Sequence, residues 1–192
     1  MAEKNKGLIC DEVSSEIVWI AERMVREDGV ESVNVRRIIN EMGVTNRVFY
    51  NRFKNIDEVL EFIYKKAVIK MRDSVATDYN LETDFYNYVM DIAIKVLEQT
   101  YDVKKQFSQY MFEFDSKTNE NCEWWTERVK NIIDIGIATE QIREVDSYAL
   151  GYTLWSFLRG YNVDAVKRGL SKEEAVERFK TAFGYILKGL IK

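Results

Sequence analysis

The chain has 192 residues, 46% hydrophobic and 31% charged, a composition and length suited to one globular domain or a small module fused to a larger one. It contains no histidine and no proline, which excludes Ser-His-Asp and Cys-His catalysis, histidine-ligated zinc or haem, cis-proline turns and proline-broken helices. Its 28 basic and 32 acidic residues leave a net charge of -4, which argues against a surface coated in nucleic-acid-binding charge.

The N-terminal stretch MAEKNKGLIC is polar and lacks a signal-peptide core. The longest run with no charged residue and few polar ones, Tyr148 to Leu158, is too short for a membrane span, which takes about 20 apolar residues. The expectation is a soluble cytoplasmic protein with no membrane partner. Cys10 and Cys122 form no CxxC pair and read as reduced thiols.

Helical spacing runs through nearly the whole chain, and no segment alternates convincingly as a strand. Asp11 can cap a first helix carrying Val13, Ile17, Ile20, Ala21, Met24 and Val25, and Gly29 can end it. Asn34 caps a second helix, Val35 to Met42, closed by Gly43. Thr45 caps a third short segment with Val48, Phe49 and Phe53 as apolar contacts. Asn55 and Glu58 resemble a capping box for a fourth helix, whose apolar face continues through Val59, Leu60, Ile63, Ala67 and Met71. A fifth helix places Phe85, Val89, Ile92, Ala93 and Val96 on one face. Residues 103–114 and about 120–140 suggest two more. Asp146 can cap a long helix reaching Lys167 and ended by Gly169, and Ser171 with Glu174 boxes a last helix ending near Leu190. No Gly/Ser linker separates the short early helices from the long later ones. The composition shifts within the fourth helix, which would join two modules rigidly, residues 1–60 and 61–192.

The segment 34–57 reads NVRRIINEMGVTNRVFYNRFKNID. Two short helices around a Met-Gly-Val-Thr turn make a helix-turn-helix pattern, with glycine where a positive φ is needed. Within residues 34–56, Arg36, Arg37, Arg47, Arg52 and Lys54 face one acid, Glu41, a net of +4 that leaves -8 for the remainder. A basic island in an acidic chain suits focused phosphate binding and discourages non-specific sticking. Thr45 offers a hydroxyl beside backbone N–H groups, and Asn46, Arg47 and Asn51 carry side chains that read adenine and guanine edges. Tyr50, Arg52 and Lys54 suit phosphate oxygens. Phe49 and Phe53 read as core.

These residues, as GVTNRVFYNRFKNIDEVL at 43–60 together with the helices before them, resemble the TetR family of bacterial transcriptional regulators over the first third of the chain. The remainder matches only in layout. The resemblance implies an all-α homodimer: an N-terminal three-helix helix-turn-helix DNA-binding domain and a C-terminal helical ligand-binding and dimerisation domain. It implies DNA contacts from Asn34, Arg36, Thr45, Asn46, Arg47, Tyr50, Asn51, Arg52 and Lys54. Two positions depart from the family pattern: Ile56 stands where a lysine is usual, and Arg47 where a small residue is common. The second implies an operator of its own.

The middle helices interleave aromatic residues with acids. Phe107, Tyr110, Glu113, Phe114, Trp124 and Trp155 are the candidate lining of an effector pocket, and aromatic faces beside a carboxylate suit a lipophilic cation. Gly151 and Gly160 lie inside one long helix, and close approach of another backbone would offset their cost of about 1 kcal/mol each. With Trp155, Phe179, Phe183, Ile186 and Leu187 they predict a dimeric four-helix bundle, which would set two reading helices about one DNA turn apart. The functional expectation is a ligand-responsive regulator, by family habit a repressor, partnered by a double-stranded DNA operator, a small hydrophobic effector and a second copy of itself. The competing expectation is a helical binding protein without DNA activity. An enzyme is disfavoured: Glu113 and Asp115 are the only close acidic pair in an aromatic setting, and no cofactor or metal is expected.

Overall fold

A computed structural model describes residues 10–76, 79, 84–102 and 105–192. Among the described residues there are nine α-helices and no strand. The chain divides into two compact units, Met1–Ile69 and Lys70–Lys192.

The first unit opens with α1 (Glu12–Asp28). Asp11 accepts the Ser14 N–H at 2.9 Å, and the Ser14 hydroxyl accepts the Asp11 N–H in return, a capping box built on serine. A single 3-10 turn, Val30–Ser32, leads into α2 (Val35–Met42), capped by Asn34 through the Arg37 N–H at 3.0 Å. Gly43 adopts φ 66° and ψ 29°. Its N–H donates to the Asn40 carbonyl, and the next N–H, from Val44, reaches back to Ile39. That double closure ends α2 cleanly and needs the left-handed backbone that glycine supplies. Helix α3 (Asn46–Tyr50) follows, and α4 (Ile56–Ser74) begins where Asn55 accepts the Glu58 N–H. Ile17, Ile20, Ala21, Met24 and Val25 of α1 form the core of this unit with Ile38, Ile39, Phe49, Phe53, Val59, Leu60 and Ile63.

The second unit contains the end of α4, then α5 (Phe85–Tyr101), α6 (Lys105–Asp115), α7 (Glu120–Ala138), α8 (Ser147–Arg168) and α9 (Lys172–Lys188). Asp84, Asp146 and Ser171 cap α5, α8 and α9, each accepting a backbone N–H three residues on. The main core joins Phe85, Leu97, Ile133, Ile142, Leu154, Phe179, Phe183 and Leu187. The C-terminus is tied down: Ile142 and Ile191 form an antiparallel bridge, and the Arg143 N–H donates to the Leu190 carbonyl at 2.9 Å. Gln141 beside them accepts the Phe85 N–H at 2.6 Å, fixing the start of α5 to the same corner. No described helix is long and apolar enough to cross a membrane.

The tightest helix crossing in this unit is α7 against α8. A Cβ added at Gly151 would lie 3.0 Å from the Thr126 carbonyl oxygen and 3.2 Å from the Lys130 nitrogen, both backbone atoms of α7. Around Gly160, on the same helix, nothing lies within 4 Å of such an atom. Gly151→Ala should therefore cost about 1–3 kcal/mol by overpacking. Gly160→Ala should stabilise the protein by up to about 1 kcal/mol through helix propensity. Urea denaturation of the two variants checks the opposite signs.

Candidate functional site

Helix α3 has five residues and one fully buried side chain, Phe49. That ring packs 5.8 Å from Phe53, which in turn meets the edge of Phe62 at 5.8 Å. With this face turned inwards, Thr45, Asn46, Arg47, Tyr50 and Asn51 are all exposed. Helical spacing puts Asn46 in line with Tyr50, and Arg47 in line with Asn51. Tyr50 leans edge-on against Phe49 at 5.3 Å, which steadies its outward hydroxyl. Thr45 has the extended backbone of a capping position, yet its hydroxyl makes no capping bond. Asn34 is exposed, but its amide is engaged at both ends, accepting from the Arg37 N–H and donating to the Ser32 carbonyl.

The basic island divides into two sets. Arg37 pairs with Asp28 at 2.7 Å, Glu41 pairs with Arg23, and Arg52 pairs with Asp11. Arg36, Arg47 and Lys54 are exposed and enter no ion pair among the described residues. The charge that this segment leaves unneutralised is therefore wholly positive. Lys54 uses only its backbone in the fold, donating its N–H to the Glu58 carboxylate at 2.6 Å while the ammonium stays outside.

Arg52 is placed differently from the sequence expectation. Its Nε donates to Asp11 Oδ1 at 2.8 Å, its Nη2 to Asp11 Oδ2, and its Nη1 to the Val48 carbonyl at 2.9 Å. Only 12% of the side chain is exposed. A guanidinium committed on three sides is not a free phosphate ligand, so Arg52 leaves the group of surface contacts. The Arg52 hydrogen bonds, helped by the Ser14 N–H, hold the Asp11 carboxyl far below the usual carboxylate range. The same partner raises Arg52. Asp11 was legible as a helix cap, but nothing local signals a partner 41 residues away.

In the second unit, Phe107, Tyr110 and Phe114 run along α6 with ring centroids 6.2 and 5.9 Å apart. Trp124 and Trp155 pack on a small cluster of Val75, Val96 and Trp125. Glu113 is exposed. Three of the expected aromatic residues, Trp124, Trp155 and Phe114, already carry a cation of the chain's own, the last from Lys117 at 5.8 Å. The Arg72 guanidinium lies 4.8 Å from the Trp124 ring centroid. That of Arg159 lies 4.0 Å from Phe112 and 5.2 Å from Trp155, while its Nε pairs with buried Asp115 at 2.8 Å. An open depression lined by Glu98, Lys172, Glu173, Val176, Glu177 and Lys180 holds none of the expected aromatic residues.

Sequence reading missed a polar cluster where α5, α6 and α8 meet. Asn162 is 6% exposed, and its Nδ2 donates to Thr100 Oγ1 at 3.4 Å. The Thr100 hydroxyl is itself committed to the Val96 carbonyl at 3.0 Å, so it fixes which end of the amide faces it. Among the described residues the buried Asn162 carbonyl oxygen and the hydroxyl of Tyr101, next to Thr100, have no hydrogen-bond partner. Burial raises the Tyr101 pKa, keeping that hydroxyl protonated. Buried Ser108 completes the cluster by donating to the Thr100 carbonyl.

Several residues expected at a subunit interface belong instead to the single chain's interior. Gly151 meets the backbone of α7, and Phe179, Phe183 and Leu187 are buried in the core, with the Phe179 and Phe183 rings stacked at 4.8 Å. Trp155 is partly covered by Arg159. Ile186 is exposed, and it shares the outer surfaces of α8 and α9 with Tyr148, Tyr152, Phe157 and Tyr185.

No family model and no curated protein matches the sequence. Solved structures do match its fold. A TetR-family transcriptional regulator from Pectobacterium atrosepticum superposes with a TM-score of 0.74 at 13% identity, over 100% of this chain and 98% of that one. A transcriptional regulator from Cytophaga hutchinsonii gives 0.75 at 17% identity, over 95% and 100%. A TetR/AcrR-family regulator from Thermobifida fusca gives 0.67 at 17% identity, over 91% and 97%. The chain therefore has the all-helical fold of TetR-family regulators along nearly its whole length.

The turn before α3 gives a direct check of this local geometry. Gly43→Ala places a Cβ in the left-handed region and should cost about 1–2 kcal/mol. The urea midpoint should fall accordingly, with an unchanged slope.

Proposed function

We propose that the chain is a ligand-responsive DNA-binding transcriptional regulator acting as a homodimer, and that it represses until an effector releases it from its operator. The observation that carries this reading is the surface around α3. Polar side chains suited to base edges are held outwards around an anchored helix, with three cations, Arg36, Arg47 and Lys54, that have no ion-pair partner among the described residues, in a chain whose total charge is negative. Asn46, Arg47 and Asn51 are assigned to base edges, and Arg36, Tyr50 and Lys54 to phosphates. Thr45 joins them through its uncommitted hydroxyl, and Asn34 through the exposed start of α2. The fold shared with solved regulators supports the same reading.

The dimer face is assigned to the exposed apolar residues of α8 and α9: Tyr152, Phe157, Tyr185 and Ile186. The effector is assigned to the second unit. There the Asn162 carbonyl oxygen and the Tyr101 hydroxyl have no partner among the described residues, and the α6 aromatics Phe107, Tyr110 and Phe114 supply apolar surface. Since α4 is one continuous helix with residues in both units, it is the covalent route between sensing and reading. To act as a switch, the effector must prefer the non-binding state by several kcal/mol.

The test is selection of genomic DNA fragments by the purified protein, followed by salt titration of the recovered sequence. Binding should weaken steeply with salt, by about 0.9 in log–log slope per phosphate contact. Arg47→Ala should relax preference at one or two base positions, whereas Lys54→Ala should weaken all duplexes alike and reduce the slope by about one. Recovery of no fragment, or binding indifferent to salt, would overturn the reading in favour of a helical binding protein without DNA activity.

A further inference from the structure

We infer that Asp11 and Arg52 form a clamp that sets the position of α3 for sequence reading, and that Arg52 acts on DNA only through this clamp. The inference rests on the DNA-binding reading above.

A five-residue helix has little hold on its own orientation. Its hydrogen bonds are few, and its N-terminal residue makes no capping bond. Phe49 and Phe53 fix how deeply it sits, but one hydrophobic line leaves rotation about that line weakly determined. Arg52 supplies a second, directional restraint. Its Nη1 donates to the carbonyl of Val48, the middle residue of α3, while Nε and Nη2 grip both oxygens of one carboxylate. A two-point guanidinium–carboxylate contact fixes the plane of both groups, which a lysine cannot do. The carboxylate is itself immobile, because Asp11 also caps α1 through Ser14. A continuous chain of bonds therefore runs from the first turn of α1, through Asp11 and Arg52, to the last turn of α3.

Charge gives the inference a sharp sign. If only long-range electrostatics mattered, Asp11→Asn would remove a negative charge near the basic island and strengthen DNA binding. The clamp requires the reverse for the operator. Asparagine caps helices about as well as aspartate, so α1 keeps its start through Oδ1, while the second, charged bond to Arg52 Nη2 is lost and with it the two-point grip.

The experiment compares full-length wild type with Asp11→Asn, Arg52→Gln, Arg52→Lys and the Asp11→Asn/Arg52→Gln pair. Each is titrated against the selected operator and a scrambled duplex of equal length. The clamp predicts that each single variant loses at least tenfold in operator affinity, with scrambled-duplex affinity equal or higher for Asp11→Asn. It predicts an unchanged salt slope for Arg52→Gln, no rescue by lysine, and a double variant no worse than the worse single one. Stronger operator binding by Asp11→Asn would overturn the inference. So would an Arg52→Gln variant that weakens both duplexes alike and lowers the slope by about one, the mark of a phosphate contact. Hydrogen exchange on the free protein is a second readout that needs no DNA. Asp11→Asn and Arg52→Gln should speed exchange across residues 46–53 and leave α5 unchanged. Unaltered exchange at 46–53 would overturn the clamp even if no fragment were ever recovered, while failure to recover DNA alone counts against the functional reading.

Discussion

A helix of five residues cannot stabilise itself, and the first unit is organised around that constraint. Gly43 ends α2 within two residues and so fixes where α3 begins. Phe49 and Phe53 bury one side of α3 among aliphatic residues of its neighbours. Arg52 closes its last turn and ties it to the start of α1. Each restraint acts on a different degree of freedom: start point, depth and rotation. Their combined effect is that an unusually short element presents a defined surface.

The charges follow the same division of labour. Counting basic residues along 34–56 gives +4 without distinguishing structural from available charge. Geometry makes that distinction. Arg37 and Arg52 each have an acid from outside the segment, Asp28 and Asp11, while Glu41 is covered by Arg23. The arginines at the edges of the helices thus hold elements together, and Arg36, Arg47 and Lys54 keep the outward field. Exposed pairs such as Arg37–Asp28 contribute little stability. Their larger effect is to neutralise one another, so the unpaired charge among the described residues of this segment is carried by Arg36, Arg47 and Lys54.

What the sequence revealed depends on the range of each interaction. Caps act over three residues, so Asp11, Asn34, Asp146 and Ser171 could be read directly, and α2 falls on the residues its pattern marked. The glycine at the α2–α3 turn was legible for the same reason. Pairings across 41 to 49 residues leave no local trace, which is why Arg52–Asp11, Arg72–Asn121 and Arg159–Asp115 appear only in three dimensions. Gly151 shows an intermediate case. Its composition rightly signalled a close backbone approach, but a sequence cannot say whose backbone, and it is that of α7 in the same chain. Phe179, Phe183 and Leu187 were similarly ambiguous between a monomer core and a subunit face, because both require the same apolar periodicity.

The arginines of the second unit narrow the chemistry of any molecule that binds there. A lipophilic cation needs an open aromatic face or a carboxylate without a partner. Trp124 faces Arg72, Trp155 and Phe112 face Arg159, and Asp115 is paired with Arg159. A cation seated on these groups would have to displace an internal guanidinium and leave its partners unsatisfied, at a cost that the new contact could at best match. The Asn162 carbonyl oxygen has the opposite status, since it is buried and has no donor among the described residues. An uncharged molecule offering a hydroxyl or N–H would satisfy that oxygen without disturbing an existing bond, and its desolvation would be far smaller than that of an ion. For the effector proposed above, a neutral donor-bearing molecule would leave the Arg72 and Arg159 contacts intact, whereas a cation seated on Trp124 or Trp155 would not.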